Sequence, residues 1–238
     1  MSELDLLLEQ IRQKYNVEIV PLKVAGKVLQ VLQIKDFESY IEELVETKPV
    51  GLMDLPYWAK LWESGFLLAY FLGKQPVVPW NRMLEIGAGM GTVGLYASLC
   101  GHNVTITDID DDALLFARAN AMINGAKAEV KKLDWSIPEL EDRYETIFGS
   151  EVIYNRKAYP LLVEFLKKAI APNGTIFLAK HTNLHAPAFF EELTKYFKFK
   201  HTVQEVRSGD ETQQISLYAV RLKDEAKESN CRNSVRFE

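Results

Sequence analysis

The sequence predicts an α/β fold: a seven-stranded, mostly parallel sheet closed by a C-terminal antiparallel β-hairpin, with an N-terminal helix and β-hairpin extension. Three observations predict it. The first is Arg82-Met83-Leu84-Glu85-Ile86-Gly87-Ala88-Gly89-Met90-Gly91-Thr92-Val93-Gly94, a short apolar run that ends in an acid and alternate glycines before an amphipathic stretch begins. That pattern reads as strand, tight turn and helix. The second is the alternation of strand-like and helix-like segments that follows, which implies a parallel sheet with helices on both faces. The third is the segment Arg207–Gln213, rich in Ser, Gly, Asp and Thr, which alone separates the last two strands. A connection that short cannot be a parallel crossover, so the final pair is antiparallel.

The elements follow in order. Leu4, Leu7, Leu8, Ile11 and Tyr15 recur at helical spacing over residues 3–15. Val17–Val20 and Val28–Leu32 flank Ala25-Gly26 and read as a β-hairpin. Asp36–Glu46 reads as a short helix. Residues 57–73, with Trp58, Trp62, Phe66 and Leu67, read as one amphipathic helix that Pro76–Pro79 terminates. Strands are expected at 82–86, 103–107, 128–132, 145–150, 174–179, 199–206 and 214–221. Helices are expected at 91–100, 110–123, 160–170 and 187–197. Residues 1–56 then form an accessory extension, 57–222 the main domain, and 223–238 a polar, flexible tail with little apolar content.

Bulk properties narrow the function. The net charge of −5 supplies no global basic field for nucleic acid. The acidic start Met1-Ser2-Glu3-Leu4-Asp5 is unlike a secretory signal. The apolar run Gly65–Gly73 is far too short to span a bilayer. Of the two cysteines, Cys100 lies in an apolar helix and Cys231 in the polar tail, which argues against a structural disulfide and for a reducing cytoplasm. The four histidines show no metal-ligand spacing with the cysteines, so no metal is expected. Lys127, Lys131 and Lys132 read as a solvated basic face.

A glycine turn after one strand and a carboxylate after the next, here Asp108, is how parallel α/β sheets hold a nucleoside. Gly89-x-Gly91-x-x-Gly94 also matches a dinucleotide fingerprint, and Asp108 suits a nicotinamide enzyme too. Asp108 is either a helix cap or a ribose acceptor. Asp110, Asp111 and Asp112 are better placed to cap, which leaves Asp108 free for sugar hydroxyls.

With its terminal hairpin and Glu-x-Gly-x-Gly-x-Gly turn, the chain resembles the class I, Rossmann-like S-adenosylmethionine-dependent methyltransferases over residues 57–222. It is most similar to the seven-strand protein-lysine methyltransferases of methyltransferase family 16. Four segments carry the resemblance: Lys60–Ala69 around Trp62; Glu85–Gly91; Val104–Asp108 with Asn120 and Asn124 downstream; and Leu133-Asp134-Trp135 followed by Ile147–Tyr154. The last has Glu151-x-x-Tyr154 where the family carries Asp-x-x-Tyr, an acid one methylene longer. Together with Glu85 and the hairpin, this favours S-adenosyl-L-methionine over a nicotinamide cofactor, with S-adenosyl-L-homocysteine as product.

The resemblance implies a cofactor site of Trp62, Glu85, Gly87, Ala88, Gly89, Asp108, Asp134, Trp135 and Ser150, and a catalytic pair of Glu151 and Tyr154. Trp62 and Trp135 are otherwise core residues, Asp134 otherwise a strand terminator, and Glu151 and Tyr154 otherwise a surface acid and a half-buried tyrosine. Glu151 would dock the acceptor lysine of a protein substrate, and Tyr154 would face the cation with its ring. His181, after the fifth strand, faces the crevice or sits in the surface or core. Alternatives are a methyltransferase for a small molecule or RNA, and a cofactor-binding protein without catalysis.

Overall fold

The computed structural model describes residues 1–24, 26–51, 55–140, 142–208 and 211–223. All of the expected polar tail except Lys223, Cys231 included, lies outside them, as does Ala25 at the hairpin tip.

The chain opens with α1 (Glu3–Arg12), where Ser2 and Asp5 form a reciprocal capping box. The hairpin of β1 (Val17–Val24) and β2 (Lys27–Ile34) follows as its own two-stranded sheet, then α2 (Phe37–Thr47). The expected helix over 57–73 is a correction. Tyr57–Ala59 is a short 3-10 turn, Trp62 is extended, and α3 covers only Glu63–Gly73. The i, i+4 tryptophans have separate tertiary partners. Trp58 packs edge-on to Tyr15 and against Phe116, whereas Trp62 faces Tyr57 and His181. Helical spacing of aromatic residues is outweighed by those contacts.

The main sheet comprises β3 (Arg82–Glu85), β4 (Asn103–Asp108), β5 (Glu129–Lys132), β6 (Tyr144–Ser150), β7 (Ile170–His181), β8 (Phe197–Ser208) and β9 (Glu211–Leu222). Their order is β5-β4-β3-β6-β7-β9-β8. The first five in that order are parallel, and β9 runs antiparallel to both β7 and β8. Intervening helices are α4 (Thr92–Leu99), α5 (Asp111–Ile123), α6 (Tyr159–Ala169) and α7 (Pro187–Leu193). The last stops four residues before the expected 187–197 limit because β8 begins at Phe197, a fully buried residue of the core.

Alternate strand residues enter opposite cores, as expected of a sheet covered on both faces. Leu84, Ile147, Ile176 and Leu178 pack with α6 and α7. Met83, Phe148 and Ala179 pack with Leu68 and Leu72 of α3 and Leu95 and Tyr96 of α4. A third cluster joins Ile11, Leu32 and Ile34 of the N-terminal segment to Phe116 and Ala119 of α5 and to Met90.

Two side chains bind that segment to the sheet. Asn120 is fully buried; its Oδ1 accepts from the Leu32 N–H at 2.7 Å, and its Nδ2 donates to the Met90 carbonyl at 3.1 Å. One turn on, Asn124 accepts from the Gln30 N–H and donates to the Gln30 carbonyl, both at 2.8 Å. From β3 the chain builds outward through β4 and β5, then returns to start β6 on the other side. The carboxyl ends of β3 and β6 therefore flank the switch point where open α/β sheets place ligands.

Candidate active site

Strand β3 delivers Glu85 to the base of the glycine turn. The side chain is buried, and Oε2 accepts from the Gly94 N–H at 3.0 Å. Gly91, the N-cap of α4, has no side chain to cap with, so Glu85 supplies the missing acceptor in the first helical turn. Burial pushes its carboxyl well above the usual range, and the Gly94 bond opposes that shift.

The turn bends through positive φ at Gly87 and Gly89, both +56°. A Cβ at Gly87 would lie 2.8 Å from Val152 Cγ1. A Cβ at Gly89 would run into the Trp58 carbonyl oxygen, main chain against main chain. These glycines thus serve close approach of protein segments as well as turn geometry. Between them, the Ala88 N–H donates to the Thr107 carbonyl at 3.0 Å.

Asp108 ends β4, buried. Its Oδ2 accepts from the Gly89 N–H at 2.7 Å and its Oδ1 from the Asp110 N–H at 3.0 Å. It is therefore not free, as the sequence suggested, but clamps the glycine turn. Capping of α5 falls to Asp110, as expected. A carboxylate offers about four acceptor positions, so with backbone donors at Gly89, Ile109 and Asp110 the Asp108 side chain keeps capacity for a ligand hydroxyl. Burial raises its carboxyl, against the pull of the backbone donors.

After β5, Asp134 Oδ1 accepts from both the N–H and the hydroxyl of Ser136, at 2.8 and 2.7 Å, which holds its carboxyl below the usual range. It builds a turn. Trp135 stacks on Phe165 at 6.5 Å and its Cζ2 lies 3.9 Å from a Cβ built at Gly87, so it joins the core to the glycine turn. Ser150 ends β6 with Oγ 2.8 Å from that of Ser64, a fully buried residue in the first turn of α3. Trp62 donates from Nε1 to the Tyr57 carbonyl at 3.2 Å, and the Lys60 ammonium lies 4.6 Å from its ring centre.

Glu151 follows at φ +53°, a left-handed conformation that costs a non-glycine residue roughly 1–2 kcal/mol and clusters at functional sites. It is 8% exposed, not a surface acid. Its Oε1 accepts from the His181 N–H and faces His181 Nδ1, each at 2.8 Å. Tyr154 is half exposed, its ring 6.3 Å from Tyr57, and burial together with the Asp108 charge raises its phenol. Tyr154, Tyr57, Trp62 and His181 thus form a chain of neighbouring rings.

Sequence alone does not single out Glu63, Tyr57 or Ser64, and it leaves His181 open. Their signal was position alone: His181 ends a parallel strand at the ligand edge, and Glu63 and Ser64 start a helix that faces it. The basic cluster is partly neutralised, with Lys132 on Asp111 at 2.8 Å and Lys131 on Glu129 at 3.0 Å. Among the described residues no cluster of His, Cys, Asp and Glu could hold a metal ion, and no helix is long and apolar enough to cross a membrane.

The family model for lysine methyltransferases matches residues 57–196. The chain belongs to that family. It is 31% identical to mouse EEF1A lysine methyltransferase 3 over 71% of this chain and 74% of the relative. It is 30% identical to zebrafish protein N-lysine methyltransferase METTL21A over 67% of this chain and 75% of the relative. Among solved structures, a ribosomal protein L11 methylase from Lactobacillus delbrueckii has a TM-score of 0.55 at 20% identity, covering 82% of this chain and 95% of its own. A glycopeptide N-methyltransferase complexed with sinefungin has a TM-score of 0.54 at 17% identity, covering 68% and 93%. These two likenesses are of fold.

This lysine methyltransferase family member is an S-adenosylmethionine-dependent N-methyltransferase. The residues present fit the cofactor. The Asp108 carboxylate beside the glycine turn has acceptor capacity to spare for ribose hydroxyls.

Proposed function

We propose that the chain methylates a lysine side chain of a protein, binding through the crevice at the β3–β6 switch point. The observation that carries this function is Glu151, a buried carboxylate at the crevice with one oxygen committed and the other unpartnered among the described residues. The names of the mouse and zebrafish relatives, an EEF1A lysine and a protein N-lysine methyltransferase, agree with such an acceptor.

S-adenosylmethionine, when bound, supplies an electrophilic methyl on a sulfonium. Everything else falls to the chain. The main chain of Gly87, Ala88 and Gly89 admits the adenosyl moiety, Asp108 accepts from the ribose, and Glu85 keeps the turn in shape. Asp134 and Trp135 flank the adenine, and Trp62 and Ser150 line the remaining wall. Glu151 docks the incoming ammonium, and the Tyr154 ring receives it face-on.

The acceptor must lose a proton to react. A free lysine has a pKa of about 10.4, so its neutral form costs about 4.6 kcal/mol at pH 7. Desolvation in the crevice lowers that cost, whereas a carboxylate raises it. Glu151 therefore serves capture and orientation, and orientation alone is worth up to roughly 7–11 kcal/mol of the barrier. Residues 57–222 are the catalytic domain and residues 1–56 an accessory element, in a cytoplasmic protein.

The test is incubation with methyl-labelled S-adenosylmethionine and a cytosolic extract. Label in a protein band that yields methyl-lysine on hydrolysis is the expected result. Label confined to RNA or small solutes refutes the proposal.

A further inference from the structure

Glu151, His181 and Glu63 come from three elements, the exit of β6, the end of β7 and the start of α3, and meet at the crevice. His181 Nδ1 lies 2.8 Å from Glu151 Oε1, and its Nε2 lies 3.6 Å from Glu63 Oε2. The His181 main-chain N–H donates to the same Glu151 oxygen at 2.8 Å. With Nδ1 as the donor, Oε1 accepts twice and both its lone pairs are engaged. Oε2 is buried and has no partner among the described residues. One carboxylate is thus divided into an anchored oxygen and an uncommitted one. An ionised oxygen buried without a donor is unfavourable, so it is suited to a donor that brings its own charge.

Other groups frame the cluster. The Trp62 ring is 6.3 Å from the imidazole. Buried Lys180, the neighbour of His181 on β7, spends its ammonium on the His181 carbonyl at 2.8 Å and acts on Glu151 only through its charge. The pairing follows from sheet register: Ser150 stands opposite Ala179, so Glu151, just past the end of β6, reaches His181, the last residue of β7.

We propose that His181 is a positioning residue. It locks Glu151 so that Oε2 alone is offered to the acceptor. The pocket so formed selects a primary ammonium over a neutral hydroxyl of the same length. This deepens the lysine assignment and rests on it.

The probe is n-butylammonium, titrated with S-adenosylhomocysteine present and followed by NMR through the Trp62 indole N–H and the His181 ring nitrogens. Saturable shifts are expected with n-butylammonium and none with n-butanol. His181→Leu weakens that binding about tenfold or more, as loss of a charge-assisted hydrogen bond requires. His181→Asn, which puts a donor near the place of Nδ1, recovers most of it. S-adenosylhomocysteine affinity, measured by calorimetry, stays within about twofold throughout, less than 0.5 kcal/mol.

No binding of n-butylammonium to the wild type overturns the proposal. So does equal binding of n-butanol, unchanged binding in His181→Leu, or an Asn variant as weak as Leu. If His181→Leu fails to fold, His181→Ala takes its place: unchanged n-butylammonium binding there overturns the proposal. If the ammonium binds as expected but no methyl-lysine forms in any protein, the lysine assignment falls while the cluster stands.

Discussion

Gly89→Ala tests how the glycine turn is held. Two penalties add at this position. The residue sits at φ +56°, where a Cβ costs roughly 1–2 kcal/mol. The new methyl also runs into the Trp58 carbonyl, with Trp58 C and Cα at 3.2 and 3.3 Å, and backbone cannot yield as a side-chain tip can. Overpacking of that kind costs about 1–3 kcal/mol. The total is roughly 2–5 kcal/mol, a large part of a typical folding stability of about 5–15 kcal/mol. Gly125→Ala is the control, because it shares a positive φ of +62° but its Cβ meets nothing within 4 Å. Only the first penalty applies there. Urea denaturation should therefore find Gly89→Ala less stable than Gly125→Ala by about 1–3 kcal/mol. Calorimetry should find S-adenosylmethionine binding weakened only in Gly89→Ala. Equal stabilities would refute the close approach of Trp58 to the turn.

Three further outcomes are expected. Asp108→Ala deserts the Gly89 and Asp110 N–H groups, so it should lower stability by roughly 1–3 kcal/mol for each buried donor and abolish measurable cofactor binding by calorimetry. Glu85→Gln keeps an acceptor for Gly94 but cannot ionise. The Glu85 carboxyl is raised by burial, so its contribution is full below the unfolded pKa of about 4.3 and is lost as pH rises through the folded value. The stability of Glu85→Gln relative to wild type should therefore climb as pH rises from about 4.3 toward the folded value, and urea midpoints that stay parallel would refute the assignment. Asn120→Ala removes partners from the Leu32 N–H and the Met90 carbonyl, and should cost roughly 2–6 kcal/mol, against about 0.5–1.5 for each of the more exposed bonds lost in Asn124→Ala, by the same denaturation assay.

Much of this architecture is legible in the amino-acid order because period and punctuation are local. The strand run to Glu85, the glycines behind it and the acid at Asp108 each declare themselves within a few residues. The short link 207–213 dictates an antiparallel pair, and the structure shortens that link further by extending β8 to Ser208 and starting β9 at Glu211. What was misread depended on distant partners. Trp58 and Trp62 keep helical spacing, yet one is drawn to Tyr15 and Phe116 and the other toward His181, so the chain leaves its 3-10 turn after Ala59 and is extended at Lys60 and Trp62. Asp108 looked uncommitted because a main-chain N–H such as that of Gly89 leaves no trace in side-chain identity. The meeting of Glu63, Glu151 and His181 needs the register of β6 on β7 and the seating of α3, neither of which any local pattern encodes.

The two asparagines of α5 have a consequence for solubility. A hairpin strand leaves one side of its backbone unpaired, and such a border can recruit a strand from another molecule. Asn120 and Asn124, one helical turn apart, present amide groups that mimic a neighbouring strand to Gln30 and Leu32. A helix thereby seals a β border without any added strand. The large sheet protects its own margins differently: β5 is four residues long and ends in Lys131-Lys132, and β8 carries Lys198, Lys200 and Arg207. Charge guards the margins of one sheet and amide mimicry the margin of the other, so polymerisation through strand addition is disfavoured at each of these borders.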